Sequence, residues 1–310
     1  MNVLSYFDGI SCGRLALEEL NIQIDSYFSC EIDKNAIKVS NDNFPDIIRL
    51  GDLTKIDLDK LPKIDLFIGG SSCQDFAIAG LRRGMIDETN QEITTLEKYL
   101  ELKNQGVTFK GESYLFWEYL LTLKYLQNKN PNLKFLLENV KMSPKWRDVI
   151  TKAIGVEPVL IDSKIHSSTM RKRYYWTNIP QDEVIEKESS LKDIVEYGFT
   201  DRDKGLCVVE NCSRPTVSPD KIARKYFLHG FYTVIFKDKE TFLKLKENYN
   251  LAKEVDVRYL NQSELEKSLC LPIGYTKSVS RNVAAGLIGN GWNIETIKHL
   301  FKNLIYENNR

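Results

Sequence analysis

The 310-residue sequence predicts an α/β fold: an open, doubly wound parallel sheet with a smaller mixed region beside it. Three observations carry that prediction. Short apolar runs rich in β-branched and aromatic residues alternate with stretches of helical spacing from the N-terminus onward. Several of those runs are apolar without alternation, the pattern of strands covered by helices on both faces. Hydrophobic residues make up 42% of the chain and charged residues 28%, which supplies a large core and excludes global disorder.

Taken in order, NVLSYF (2–7) reads as the first strand and CGRLALEELN (12–21) as the first helix, and DSYFSC (25–30) with DKNAIKVSNDNF (33–44) repeats the unit. DIIRL (46–50), DLFIGG (65–70) and KFLLENV (134–140) add three strands. Between them, the polar stretch from Arg82 to Lys110 reads as a mobile insertion whose middle suits one amphipathic helix. Residues 168–180, STMRKRYYWTNIP, contain an extended segment. From about Gln181 to Asp256 the rhythm gives way to a Lys/Arg-dotted segment with turn signals at SRP and VSPD. Helical signals then return. NQSELEKSLCL offers Ser263 and Glu266 as a capping-box pattern, and WNIETIKHLFKNLIY forms an amphipathic closing helix. The expected division is a large domain over 1–181, a small domain over 182–256, and helices over 257–310 that return to the first.

Charge narrows the partner classes. The 43 Lys and Arg balance the 43 Asp and Glu, so a polyanionic partner must meet a local patch rather than a whole-molecule field. Residues 141–180 hold eight basic against three acidic side chains and residues 201–260 twelve against nine, whereas residues 1–65 hold seven against twelve. No apolar run approaches the ~18 residues of a membrane-spanning helix. Asp8 stands where a signal peptide would be apolar, so a cytoplasmic location is expected. The six cysteines include no C-x-x-C pair, and Cys207 with Cys212 lacks a second ligand pair, so reduced thiols and no metal are expected.

In doubly wound sheets ligands bind beyond the carboxyl ends of the strands, and five such ends carry suggestive residues. FDGISCG brings Phe7, Asp8 and Gly9 off the first strand, with Gly13 opening the helix; the spacing is not the G-x-G-x-x-G of dinucleotide sites. Glu31 ends the second strand and Asp52 follows the third. Each acid alone is an ordinary solvated turn residue, but a glycine turn and two acids at three consecutive strand ends suit an adenosyl ligand. The fourth strand delivers Cys73 into a polar loop, where a thiol is a candidate nucleophile or an inert small hydrophobe. The fifth ends in Glu138 and Asn139. Arg171 and Arg173 share one face of the extended segment, an arrangement suited to a phosphate or a carbonyl as well as to a charged surface.

The ordered blocks FDGISCG, EID, GD, GGSSCQDF, LENV, MRKRYYW and GNGW resemble the DNA (cytosine-5) methyltransferases. VLSYFDGI, RKRYYWTNIP, LPIGYT and ETIKHLF look most like the catalytic domain of the vertebrate de novo enzymes and their bacterial or phage relatives. The resemblance implies a Rossmann-like S-adenosylmethionine-dependent methyltransferase sheet with a small target-recognition domain, acting on double-stranded DNA and releasing S-adenosylhomocysteine. It assigns the cofactor to Phe7, Asp8, Gly9, Ile10, Glu31, Ile32, Asp52, Leu53, Gly70, Asn290 and Trp292. Cys73 then attacks carbon-6 of a flipped-out cytosine, Glu138 serves ring nitrogen 3, Asn139 orients the loop and the base, and Arg171 and Arg173 contact the base carbonyl.

Three departures from the family stand out. Ser72 replaces the proline before the nucleophile, Thr169 replaces a glutamine before the paired arginines, and the insertion between Gly84 and Gly111 is long. The insertion is expected to close over DNA with Arg82 and Arg83 near phosphates, and the short recognition segment to read a short site, as in a restriction-modification or phage enzyme. A tRNA methyltransferase using the same pocket and a catalytically silent DNA-binding relative are the competing expectations.

Overall fold

The alternation of side chains along a strand sends Val3, Leu66, Ile68, Leu136 and Tyr175 into one hydrophobic cluster. The intervening Leu4, Phe67, Phe135, Leu137 and Trp176 go into a second. The central sheet is therefore buried on both sides, which is why its strands read as unbroken apolar runs. The computed structural model describes residues 1–71, 76, 84–209, 218–230 and 232–304.

Seven strands make this sheet: β1 (Asn2–Tyr6), β2 (Ser26–Cys30), β3 (Ile48–Arg49), β4 (Leu66–Gly70), β7 (Lys134–Val140), β8 (Val159–Asp162) and β9 (Lys172–Thr177), in the order β3-β2-β1-β4-β7-β9-β8. β3, β2, β1, β4 and β7 run parallel. β9 is antiparallel to both β7 and β8, so the expected all-parallel sheet is mixed at one edge. The cause is the connection of residues 163–171 between β8 and β9, shorter than the dozen or so residues of a parallel crossover.

One face is covered by α1 (Cys12–Glu19), α2 (Lys34–Asn43), α9 (Gln262–Ser268), α10 (Arg281–Asn290) and α11 (Ile294–Phe301), and the other by α4 (Leu115–Lys129) and α5 (Pro144–Ile154). The expected mobile insertion is instead part of this second face from Gly84 onward. It folds as the strand pair β5 (Ile86–Asp87) and β6 (Phe109–Lys110) around α3 (Leu96–Asn104), and buries Met85, Ile93, Tyr99 and Leu102. The rings of Tyr99, Phe109, Tyr114 and Trp117 pack on one another, and buried Glu118 accepts from the Tyr99 hydroxyl and the Lys103 ammonium. Its apolar residues are divided between a strand pair and a helix, so no single period exposes them in the sequence. Arg82 and Arg83 lie outside the described residues.

A third cluster, including Tyr226, Phe236, Phe242 and Val257, belongs to the small unit of α7 (Pro219–His229), β10 (Val234–Phe236), α8 (Lys239–Glu247) and β11 (Val257–Tyr259). The VSPD signal is a helix start, with Ser218 at the N-cap and Pro219 in the first turn of α7. SRP lies outside the described residues. β11 pairs with β10, which carries the small unit three residues past Asp256. Leu191, Ile194 and Val208 pack into the first cluster, so the segment before α7 rests on the large domain. The capping box of α9 is formed by Asn261 and Glu264 rather than Ser263 and Glu266, because the helix begins at Gln262. Buried Glu266 instead accepts from the Gly274 and Thr276 amides at 2.6 and 2.7 Å and from the Thr276 hydroxyl, pinning the LPIGYT turn.

Candidate active site

The turn after β1 is sharp. Phe7, Gly9 and Ser11 all have left-handed backbone, at φ 54°, 54° and 61°. Beneath it, the Asp8 carboxylate accepts hydroxyls from Ser5, Ser11, Tyr27 and Ser29 at 2.5–2.8 Å and stands 3.6 Å from the Arg49 guanidinium. Asp8 is thus turned inward as the knot of a buried network, while its two neighbours present backbone to the cleft. The Gly9 amide donates to Glu31 Oε2 at 2.8 Å, and the Ile32 and Asp33 amides donate to Oε1 at the same distance. Three amides occupy three of that carboxylate's roughly four acceptor sites, which orients it and leaves one for a ligand hydroxyl.

At the ends of β4 and β7, Gly70 is paired with Glu138. Asn139 Nδ2 donates to the Ser71 carbonyl at 3.2 Å and to its hydroxyl at 2.9 Å, clamping the last described residue before the Cys73 loop. Cys73 itself, like Ser72, lies outside the described residues. Glu138 is buried. Its Oε2 accepts from Trp292 Nε1 at 3.2 Å, and its Oε1, sealed from solvent, stands 2.8 Å from Arg173 Nε as an ion pair. Arg171, also buried, donates from Nη1 to the Gly289 carbonyl at 3.0 Å and to Cys207 Sγ at 3.6 Å.

These groups surround one cleft of about 210 Å³ at the carboxyl edge of the sheet, lined by Phe7, Gly9, Glu31, Gly70, Glu138, Arg171, Arg173 and Asn290. An adjoining hollow is walled by Phe7, Asp8, Gly9, Asn290 and Trp292. Asn139 sits behind the cleft. Four expected cofactor residues line neither the cleft nor the adjoining hollow. Ile10 is buried and gives its carbonyl to the Tyr275 hydroxyl at 2.7 Å, and Ile32 is 72% exposed. Asp52 caps a short turn through the Thr54 amide and hydroxyl, which hold its carboxyl below the usual range, and Leu53 packs on the second cluster. Thr169 donates to the Ser268 carbonyl at 2.8 Å.

Sequence reasoning missed Asp33 and Glu112, both in the cleft wall. Asp33 carried a visible signal as the N-cap of α2 just beyond Glu31, whereas Glu112 comes from the insertion and carried none. A larger hollow of about 950 Å³ lies at the opposite, amino edge among Met1, Asp65, Lys134 and Asn178, and holds none of the expected residues. Among the described residues no cluster of three His, Cys, Asp or Glu side chains is arranged for a metal, and no helix is long and apolar enough to cross a membrane.

Residues 1–149 match the family model of the C-5 cytosine-specific DNA methylases. The orphan methyltransferase M.SPRI of Bacillus phage SPR is 31% identical over 215 residues, covering 64% of this chain and 43% of that protein. The type II methyltransferase M1.ScrFI of Lactococcus lactis subsp. cremoris is 31% identical over 182 residues, covering 58% of this chain and 38% of that protein. The chain therefore spans about two fifths of the length of these curated relatives. Among solved structures, S. pombe Dnmt2 methyltransferase superposes with a TM-score of 0.70 at 15% identity, covering 100% of this chain and 99% of that one. A putative DNA modification methyltransferase of an E. coli prophage does so at 0.58 and 16%, covering 100% of each. Both show the same α/β fold. The likeness to the C-5 cytosine-specific DNA methylases thus lies in residues 1–149, which carry the first five strands of the sheet and the Phe7, Glu31 and Glu138 ends of the cleft.

Proposed function

We propose that this chain is a DNA cytosine-5 methyltransferase that uses S-adenosylmethionine and a covalent Cys73 adduct. The observation that carries the reading is the meeting of Glu138, Arg171 and Arg173 over the cleft that also holds the Phe7–Gly9 turn and Glu31. Asn139 grips Ser71, two residues before Cys73.

The cleft suits the cofactor. A Cβ at Gly9 would meet nothing within 4 Å, so the floor is open there, and the remaining acceptor site of Glu31 matches a ribose hydroxyl. When bound, S-adenosylmethionine supplies an electrophilic methyl group. The rest is the work of the chain. Cys73 adds to carbon-6 of the cytosine, a poor electrophile until Glu138 relieves the charge developing at ring nitrogen 3 by giving it a proton. Carbon-5 becomes nucleophilic and takes the methyl group; loss of its proton then expels the Cys73 thiolate. Arg171 and Arg173 stabilise the adduct's developing charge. The target base must leave the stack, and the duplex is held by the basic stretches on either side of the cleft together with the small unit between about residue 182 and Tyr259.

The test is to incubate the protein with S-adenosylmethionine and, separately, unmethylated DNA and tRNA, and to identify the nucleosides by mass spectrometry. The expected product is 5-methyldeoxycytidine from DNA alone, absent with Cys73→Ala, a variant that still binds S-adenosylhomocysteine. Modification of tRNA alone would move the substrate assignment, and product made by Cys73→Ala would overturn the nucleophile.

A further inference from the structure

Arg171 is held by segments of chain that belong to other parts of the molecule. Its Nη1 donates to the Gly289 carbonyl of α10 at 3.0 Å and to Cys207 Sγ at 3.6 Å, while the Cys207 thiol gives its own proton to the Val208 carbonyl at 3.4 Å. Its backbone is tied to the end of β8, the amide donating to Asp162 Oδ1 at 3.0 Å and the carbonyl accepting from the Ser163 amide at 3.1 Å. The residues just before Arg171 are zipped to those just before Cys207. The Gly205 amide donates to the Ser168 carbonyl at 2.8 Å and the Met170 amide to the Gly205 carbonyl at 2.9 Å, a parallel bridge between Thr169 and Gly205. Lys204 adds a bond to the Ser167 carbonyl at 3.0 Å. The same short segment anchors the small unit. Arg202 Nη2 donates to the Gly230 carbonyl at the end of α7, and the Leu206 amide to the Thr233 hydroxyl just before β10, both at 2.9 Å.

The two zipped segments fit closely. A Cβ at Gly205 would stand 2.9 Å from Thr169 Cγ2. Thr169 cannot swing that methyl aside without giving up the bond from its hydroxyl to the Ser268 carbonyl. Thr169 stands where the family has glutamine, so this departure and the glycine that accommodates it belong together.

We infer that Gly205 and Cys207 are positioning residues for Arg171, so that the segment leading into the small unit also sets the guanidinium at the cleft. Cys207 acts on the guanidinium directly, and Gly205 acts through the backbone of residues 168–170. The inference rests on the proposed function only for what Arg171 does there. Displacing a group that stabilises transition-state charge by about 1 Å costs up to about 100-fold in rate, so shifts well under that register in kcat.

The experiment compares wild type with Gly205→Ala, Thr169→Ser, the two combined, and Cys207→Ala. Three quantities are measured: DNA methylation kinetics, S-adenosylhomocysteine affinity, and hydrogen–deuterium exchange over residues 168–173. Gly205→Ala should lower kcat roughly tenfold, leave S-adenosylhomocysteine affinity unchanged and raise exchange over 168–173. Adding Thr169→Ser, which removes Cγ2 and keeps the hydroxyl, should restore both rate and exchange relative to Thr169→Ser alone. A purely structural role would lower stability without this split between rate and cofactor affinity. Cys207→Ala leaves the bridge intact and should lower kcat roughly two- to tenfold, the worth of one net hydrogen bond, so the test survives if Gly205→Ala fails to fold. Wild-type kcat in either variant, or a loss in Gly205→Ala that Thr169→Ser does not relieve, would overturn the inference. Wild type that makes no 5-methyldeoxycytidine would instead refute the proposed function. Exchange then decides the inference by itself: unchanged in Gly205→Ala it overturns the positioning, and raised but restored by Thr169→Ser it sustains it.

Discussion

Asp8→Asn separates two roles that the FDGISCG motif leaves superposed, that of a cofactor ligand and that of an internal knot. Asp8 Oδ1 accepts from Ser5 and Tyr27, and Oδ2 from Ser11 and Ser29 with Arg49 nearby. An amide keeps one oxygen and so serves the first pair. Its NH2 group faces the second pair, whose hydroxyls must turn to accept, and it meets the Arg49 guanidinium as a like partner. Two bonds to a charged group, each contributing about 1.5–3 kcal/mol, are lost and in part replaced, so the net cost is about 2–4 kcal/mol. Against a total stability of about 5–15 kcal/mol, that is a large fall in the urea midpoint at unchanged slope. S-adenosylhomocysteine affinity should fall less, because the backbone turn still forms once the protein is folded. Ser5→Ala, which removes one donor and leaves the charge, should cost about 1 kcal/mol. An Asp8→Asn protein with the wild-type urea midpoint and no cofactor affinity would refute the reasoning and make the carboxylate a direct ligand.

Two further predictions concern the frame. His166 is pushed down to about 4 by burial and then by neighbouring His299, which burial and Lys302 also hold down; His166 Nδ1 meets the Thr296 hydroxyl of α11 at 3.1 Å. Because the unfolded chain takes up these protons near pH 6.5 and the folded one does not, stability should be full above that pH and fall by about 2 kcal/mol toward pH 4. Urea midpoints measured along that range should show the loss, flattened in His166→Gln. Gly84→Ala should cost about 2–4 kcal/mol in the same assay, since φ is +71° and the new Cβ would fall 1.9 Å from the Trp146 ring; a neutral result would mean that the insertion is not seated on α5.

The two leading βα units and strands β4 and β7 were legible because double-sided burial writes itself as apolar runs, and the strand-end rule then pointed at Glu31 and Glu138, while Gly70 came only from the family resemblance. What stayed hidden depends on direction or on distance along the chain. Asp8 and Gly9 are adjacent, yet one carboxylate turns into the core while its neighbour's amide turns to the cleft. That divergence comes from left-handed backbone at Phe7, Gly9 and Ser11, only one of which is glycine. The β3 strand is Ile48–Arg49 rather than the whole of DIIRL; among the described residues it lies at the sheet edge and pairs only with β2. Trp292 and Glu138 meet across 154 residues and Arg171 and Gly289 across 118, separations at which no local pattern records a contact. These long contacts run from Glu138 and Arg171 to the C-terminal segment of α10 and the residues just after it. The helices that close the first face therefore also set the groups around Glu138, so a change in how α10 packs should register at the Glu138 end of the cleft before it registers in the sheet.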